Sequence, residues 1–491
     1  MTQLKDKRVL VLGLGETGLS MLRWLSAQGA RLRIADSRSS PPGVAEAGKY
    51  VAAGQIYCGA FGDAMFEGID LIAISPGVPL RDTVVAKAVA RGIPVVGDIE
   101  LFAQQLAASG LRQETKVLAI TGANGKTTVT SMVEHLCKAA GKDAVAAGNI
   151  SPAVLDVVLA RGANQPGIWV LELSSFQLET TATLEADAAT VLNVSEDHLD
   201  RYADMDEYAA AKARIFAGAA ALHSLPHLTL ARGVSGVQVL NRDDVRSMGM
   251  AVAGREIVTF GLDAPRSERD FGVERDGGDI WLTCGRERLL KADELQIVGL
   301  HNVANALAAL ALCRSIGLPM PALLAGLRSF RGLPHRVERV AEIDGVLYYD
   351  DSKGTNVGAT VAALEGLGGM ARCAQTPGVN VKVVLIAGGE GKGQDFAPLR
   401  PAVMQHARSV VLIGRDARLI ASALEGCGVP VLFAKTMREA VRQGAQLAQS
   451  GDAVLLSPAC ASFDMFHNYA HRAEMFVEAV HELIKEAAWS R

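Results

Sequence analysis

The sequence predicts an α/β protein of three domains in series, each built on a mainly parallel sheet. Three observations predict it. At 491 residues the chain is long enough for roughly three domains, and its 49% apolar residues can fill several cores. Short apolar runs alternate with helical patterns over most of the length, as βαβ units require. Twice a glycine-rich turn separates an apolar strand from a helix, the place where such sheets bind phosphate groups.

The first element is a strand from Arg8, followed by Gly13-x-Gly15-x-x-Gly18 and a helical pattern through Leu25. A second strand, Arg31 to Ala35, ends at Asp36, about 20 residues beyond the glycines, where a Rossmann unit places its ribose-binding acid. A third strand, Leu71 to Ser75, runs into the turn Ser75-Pro76-Gly77. Residues 1–108 therefore read as a Rossmann-like domain that binds a diphosphate. NAD and a UDP-sugar both carry a diphosphate and a ribose, and fingerprint chemistry does not separate them.

The central domain, 109–331, is organised around Val117 to Glu134. Val117–Ile120 is a buried strand, Gly122 and Gly125 allow a tight loop, and a helix runs on from Thr127. Lys126 adds a point charge at that helix N-terminus, and the Thr127 and Thr128 hydroxyls can reach a metal or a phosphate oxygen. The first glycine of the strict phosphate-loop spacing is replaced by Ile120, yet Gly-Lys-Thr-Thr after an apolar strand points to a nucleoside triphosphate. Ile168 to Ser175 is a strand carrying Glu172, the candidate magnesium ligand. The strand from Ala188 leads into Glu196, Asp197 and His198, where His198 ligates a second metal, orients a phosphate or is a surface-loop histidine. Met205 to Ala217 reads as a helix in which Lys212 is by default solvated. Strands are expected near 237–240 and 257–260. Asn302 and Asn305 open an apolar helix one turn apart, so both amides can face a base edge; alternatively, Asn302 is an N-cap.

Gly332-Leu-Pro-His-Arg336 reads as a linker into the third domain, 332–491. Apolar strands at Val346–Tyr349, Lys382–Ile386, Ser409–Ile413, Val429–Phe433 and Ala453–Leu456 predict a second Rossmann-like sheet. Three strand ends carry polar loops: Asp350 to Asn356, Ala387 to Gly393 and Ser457 to Asp464. Such loops converge on one face, where Lys353, Lys392 and a helix N-terminus near Ser462 would suit an anionic substrate. Cys460 reads as a small buried residue, and Gly366 to Gly378 as a surface loop or insertion.

Composition narrows the function classes. A net charge of −4 without a basic block excludes a nucleic-acid binder by the usual footprint. Seven scattered cysteines, never in C-x-x-C spacing, argue against a disulfide framework or a zinc site. No membrane span and no signal-peptide core stand out, so a cytoplasmic protein is expected.

Taken together, these motifs resemble the Mur ligases of bacterial cell-wall synthesis, over nearly the full length and in the family's order. The matching segments include Gly13-Leu-Gly-Glu-Thr-Gly18, Asp36-Ser-Arg38, Thr121 to Thr128, Gly148-Asn149-Ile150, Glu172 to Glu179, Asn193 to His198, Ala211-Lys212, His301-Asn302 and Gly332 to Arg336. Asp351-Ser-Lys-Gly-Thr-Asn356 and Ser457-Pro-Ala-Cys-Ala-Ser462 point to the D-glutamate-adding branch. The resemblance implies a three-domain ATP-dependent amide ligase acting on UDP-N-acetylmuramoyl-L-alanine and D-glutamate through an acyl phosphate, a monomer with two Mg2+ ions. It implies UDP-substrate contacts by Glu16, Thr17, Asp36, Ser37, Arg38 and Gly77. ATP would be held by Gly122, Ala123, Asn124, Gly125, Lys126, Thr127, Thr128, Asn149, Asn302, Asn305, Arg336 and Asp351. Metal ligands would be Thr127, Glu172, His198 and Lys212, the last as a carbamate formed with CO2. Lys126, His198 and Lys212 would be catalytic, and Lys353, Thr355, Lys392, Ser462 and Tyr469 would hold D-glutamate. Glu390, Phe463 and Tyr469 stand where the family pattern leads one to expect Asp, Leu and Phe.

Overall fold

A computed structural model of the chain describes residues 4–197, 201–217, 236–297, 299–370 and 382–489. It divides into two compact units, one running through Val194 and including Arg201–Phe260 and Ala308–Leu323, the other containing Gly261–Leu307 and the chain from Leu324.

The first unit holds two sheets. In the first sheet, β1 (Arg8–Leu12), β2 (Arg31–Asp36), β3 (Ile56–Cys58), β4 (Leu71–Ile74) and β5 (Val95–Val96) lie in the order β3-β2-β1-β4-β5, all parallel. Leu71–Ile74 is thus the fourth strand, not the third. Both faces of β1 are covered: Val9 and Val11 join one core, Leu10 and Leu12 another. That is why this strand reads as an unbroken apolar run.

In the second sheet, β6 (Lys116–Thr121), β7 (Ala144–Gly148), β8 (Ile168–Glu172), β9 (Ala188–Val191), β10 (Val237–Asn241) and β11 (Ile257–Phe260) run parallel in the order β11-β10-β9-β6-β8-β7. One apolar core is continuous between the two sheets. Phe102, on helix Asp98–Ala108, meets Trp169 of β8 edge to face with ring centres 4.8 Å apart. From the same helix, the Glu100 carboxylate accepts the Ala182 and Thr183 N–H groups at 2.7 and 2.9 Å. Asp98 accepts Gln177 Nε2 at 3.0 Å.

In the second unit, β12 (Phe271–Asp276), β13 (Asp279–Cys284) and β14 (Glu287–Lys291) form an antiparallel meander for which the sequence gives no strand expectation. The third sheet takes β15 (Glu338–Ile343), β16 (Val346–Asp350), β17 (Val383–Gly388), β18 (Ala407–Ile413), β19 (Val431–Phe433) and β20 (Ala453–Leu456) in the order β15-β16-β20-β17-β18-β19. Only the edge strand β15 is antiparallel.

Two local expectations fail. Gly366 belongs to the helix Val357–Met370, not to a surface loop; residues 371–378 lie outside the described residues. A Cβ at Gly366 would lie 2.9 Å from the His301 ring, and one at Gly368 would lie 2.2 Å from His406 Nδ1. Close packing selects those glycines, not chain flexibility. The helix expected near Ser462 starts instead at Tyr469, and Ser462 lies in the turns before it. No described helix is long and apolar enough to cross a membrane.

Candidate active site

At the C-terminal ends of β1 and β4, where the strand order of the first sheet reverses, a cavity of about 510 Å³ opens. Glu16, Thr17, Asp36, Ser37, Arg38 and Gly77 all line it. The three fingerprint glycines divide their work. A Cβ at Gly13 would lie 2.9 Å from Ser75 Cβ, and one at Gly18 only 1.8 Å from the Gly13 carbonyl oxygen. At Gly15, which lines the cavity, it would meet nothing within 4 Å. Gly13 and Gly18 serve chain packing, and Gly15 leaves the helix N-terminus open to a ligand.

Asp36 is turned toward its own loop. Its Oδ2 accepts Leu14 N–H and Arg38 Nη2, both at 2.7 Å, and its Oδ1 accepts Arg38 N–H and Nε at 2.9 Å. The Arg38 guanidinium, together with those N–H groups, holds the carboxyl down at about 2. Four donors fill the lone-pair sites of the carboxylate, so a ribose hydroxyl would have to displace one of them. Asp36 organises the turn at Leu14 and keeps the Arg38 charge at the cavity.

The second region is the loop between β6 and the helix Lys126–Ala139. Gly125 caps the helix with a left-handed φ of +82. Lys126 Nζ folds back on the loop, donating to the Gly122 and Ala123 carbonyls at 2.8 and 2.9 Å. Lys212 departs from its default reading: it is 1% exposed, donates to the same Gly122 carbonyl at 3.0 Å, and lies 4.4 Å over the Tyr208 ring.

Glu172 ends β8, the parallel neighbour of β6, and is 2% exposed. Its Oε1 accepts Asn149 Nδ2 at 2.8 Å, while Oε2 is buried without a hydrogen-bond partner. A buried carboxylate oxygen lacking a donor is costly, and a dication that prefers oxygen ligands removes the cost. The donor set thus fits Mg2+. Asp197 is half-buried and Glu196 exposed; His198 lies outside the described residues.

Asn193 has no role that its sequence context alone assigns. It follows β9 closely and accepts Asn124 N–H on Oδ1 at 2.8 Å, returns Nδ2 to the Asn124 carbonyl at 3.1 Å, and gives its own carbonyl to Ala123 N–H at 2.9 Å. Its place at a strand end beside the loop was the available signal.

In the second unit β16, β20 and β17 are adjacent and parallel, so their three polar loops meet as expected. Ala459 N–H donates to the Gly354 carbonyl at 3.0 Å, and Glu390 N–H to the Ala461 carbonyl at 3.0 Å. Burial pushes Asp351 up to about 7, although its carboxylate accepts Ser457 Oγ at 2.7 Å. Lys353 Nζ stands 3.6 Å from the centre of the Tyr469 ring. Thr355 N–H bonds the Lys353 carbonyl at 2.9 Å, Ser462 is buried, and Lys392 is exposed. Burial pushes the Cys460 thiol up to about 12, as suits a packing residue.

Arg472, fully buried and also unassigned by sequence, ties two of these loops by donating to Ser352 Oγ and O and to the Cys460 carbonyl. His335 Nδ1 and Asp350 Oδ2 are 2.7 Å apart, and Glu338 joins them in a cluster of potential metal ligands. Asn302 lies within the first turn of helix Leu300–Ser315, where its Oδ1 accepts Asn305 Nδ2 at 3.1 Å.

Comparison with known proteins decides the family. Residues 7–97 match the model of the Mur ligase MurD-like N-terminal domain, 120–313 the Mur ligase middle domain, and 335–460 the Mur ligase glutamate ligase domain. The chain belongs to the Mur ligase family. It is 57% identical to the UDP-N-acetylmuramoylalanine–D-glutamate ligase of Methylobacillus flagellatus, covering 99% of each chain. To the enzyme of that name from Nitrosospira multiformis it is 56% identical, over 98% of this chain and 96% of the relative.

Among solved structures, the Mur ligase fold is shared with UDP-N-acetylmuramate–alanine ligase of Thermotoga maritima, at TM-score 0.58 and 19% identity over 97% and 99% of the two chains. MurF of Acinetobacter baumannii gives TM-score 0.57 at 18% identity, over 97% of this chain and 91% of that one. The predicted three-domain α/β class with mainly parallel sheets is borne out. Within this Mur ligase the phosphate loop, Asn149, Glu172 and Lys212 all lie in the first unit with the cavity, whereas Asn302, Asn305, Arg336, Asp351 and the loop lysines belong to the second.

Proposed function

We propose that the chain joins the L-alanyl carboxylate of UDP-N-acetylmuramoyl-L-alanine to the amine of D-glutamate, using ATP and releasing ADP and phosphate, in peptidoglycan precursor synthesis. One observation carries the reading: Asn149 lines the cavity and also donates to Glu172 beside the phosphate loop, linking an acceptor site to a nucleotide site. The names of the full-length relatives support the choice of substrates.

A carboxylate does not accept an amine at neutral pH until its oxygen becomes a leaving group. The L-alanyl carboxylate oxygen attacks the γ-phosphorus of ATP, the bond to ADP breaks, and an acyl phosphate forms. The D-glutamate amine then attacks the carbonyl carbon, phosphate departs, and the amine loses a proton. Lys126 leaves its loop carbonyls for the β/γ-phosphates, and the Gly122–Gly125 turn orients them. Thr127, Glu172, His198 and a carbamylated Lys212 would hold two Mg2+ ions, which supply charge neutralisation. Glu16, Thr17, Ser37, Arg38 and Gly77 hold the UDP end, and Asp36 serves it by fixing Arg38 and the turn at Leu14. Asn302, Asn305, Arg336 and Asp351 serve the rest of the nucleotide, and Lys353, Thr355, Lys392, Ser462 and Tyr469 serve D-glutamate. Domains at 1–108, 109–331 and 332–491, a monomeric state and a cytoplasmic location complete the reading.

The test is phosphate release by the purified protein with UDP-N-acetylmuramoyl-L-alanine and ATP. Release should require D-glutamate and fail with L-glutamate, L-alanine or diaminopimelate. Equal release without an amino acid, or preference for another one, would overturn the assignment.

A further inference from the structure

Behind the cavity, one side chain joins three segments. Arg201 follows the polar tract Glu196–Asp197–His198 in sequence, and its side chain is only 12% exposed. Its Nη1 donates to the Pro76 carbonyl at 3.0 Å, in the turn whose Pro76 and Gly77 line the cavity. Its Nη2 donates to Glu179 Oε2 at 2.9 Å, and its guanidinium lies 4.3 Å from the centre of the Phe176 ring. The other Glu179 oxygen accepts the Tyr202 hydroxyl at 2.7 Å, and the Tyr202 ring stacks on Phe176 at 6.0 Å.

Phe176 and Glu179 belong to the helix Ser175–Glu179, which starts three residues after Glu172. A second tether runs alongside, since Arg81, beyond the same cavity turn, pairs with Glu207. None of the groups assigned to phosphate, metal or UDP accounts for this assembly.

We propose that Arg201 is a positioning residue: it fixes the Pro76–Gly77 rim of the cavity relative to the Glu172 end of β8, and so sets where the bound acceptor carboxylate stands. The planar fork of arginine satisfies a carbonyl and a carboxylate in different directions while stacking on a ring. Lysine keeps the charge and forfeits that geometry. The proposal rests on the amide-ligase reading for the identity of the acceptor, but its direct readout is binding.

The experiment compares wild type, R201A and R201K by calorimetric titration with UDP-N-acetylmuramoyl-L-alanine and, separately, with ATP. Steady-state phosphate release is followed with each substrate varied. R201A should weaken acceptor binding about tenfold, as loss of a charge-assisted hydrogen bond predicts. R201K should recover part of the loss, with ATP affinity and the KM for D-glutamate within about twofold of wild type. Equal acceptor affinity in wild type and R201A overturns the proposal, as does parallel weakening of ATP, which a general loosening of the fold would give. If R201A does not fold, R201K decides, and wild-type affinity in it is the refuting result. Tight acceptor binding by wild type without D-glutamate-dependent phosphate release would sink the ligase reading alone. No acceptor binding by wild type would sink both.

Discussion

Asn193 grips Asn124 from both sides, its amide oxygen taking the Asn124 N–H at 2.8 Å and its amide nitrogen reaching the Asn124 carbonyl at 3.1 Å. The phosphate loop is therefore held by the end of a neighbouring strand, and its N–H groups need no ligand to become ordered. Asn193→Ala should weaken ATP binding by about five- to tenfold, the worth of one or two neutral hydrogen bonds. Asn193→Asp should weaken it further, because the carboxylate faces the Asn124 carbonyl and repels the phosphates. Unchanged affinity in calorimetric titration would show that the loop holds its shape alone.

Lys126 donates to two loop carbonyls that a bound triphosphate would replace. Lys126→Ala should lower kcat for phosphate release by roughly 10²–10³-fold, the usual cost of removing a group that stabilises developing charge. Lys126→Arg should not restore it, because the wider head cannot reproduce a point contact. A native rate in the alanine variant would remove the proposed chemistry.

Lys212 is buried beside the Gly122 carbonyl and the Tyr208 ring. If it becomes a carbamate, Lys212→Ala should lose most activity at limiting Mg2+. Protein exchanged with isotopically labelled bicarbonate should also give a carbamate carbon resonance that the variant lacks. Full activity of the variant at limiting Mg2+ counts against the modification.

Asp98 is fully buried against Gln177, and burial raises its carboxyl from 3.8 to about 6. Between those values the folded protein keeps a proton that the unfolded chain releases. Its contribution to stability is therefore present at the acid end and is lost as pH rises through about 6. Asp98→Asn should flatten that part of the stability–pH curve, read as denaturation midpoints between about pH 4 and 7. Asp351, raised to about 7, adds a similar slope in both proteins, so the difference between them isolates Asp98.

The fingerprint glycines offer a paired test. At Gly18 a Cβ would strike the Gly13 carbonyl at 1.8 Å, and backbone cannot step aside cheaply. Gly18→Ala should cost about 3 kcal/mol of stability, at the upper end for overpacking. Gly15→Ala should fold normally, since nothing lies within 4 Å of the added carbon, while binding of the UDP substrate weakens. A thermal melt and one titration per variant check both.

The reading from sequence succeeded where the signal is local. Thr121–Thr128, Glu172 at the end of β8 and the three loops beyond β16, β17 and β20 each sit at a strand end that the apolar pattern marks. It failed where tertiary contacts override local preference. Ile56–Cys58 and Val95–Val96 are too short to show a period, yet both pair in the first sheet. Gly366 and Gly368 look like helix breakers until the His301 and His406 rings are found against them. Lys212 reads as a surface lysine because its burial is imposed by residues 90 positions away. Asn193, Arg201 and Arg472 escaped assignment for a related reason: each acts on backbone carbonyls or N–H groups of distant loops, and those partners leave no trace in side-chain patterns.

The contact of Phe102 with Trp169, and of Glu100 with the Ala182–Thr183 backbone, bears on how the protein could be taken apart. A fragment ending at residue 108 would carry an aromatic ring and two carboxylates, Asp98 and Glu100, out into water, stripped of the groups that match them. The first sheet with its helices is thus not a portable cassette that can be excised or grafted. New ligand preferences would have to arise by substitution around the cavity itself, with the seam between the first two sheets left intact.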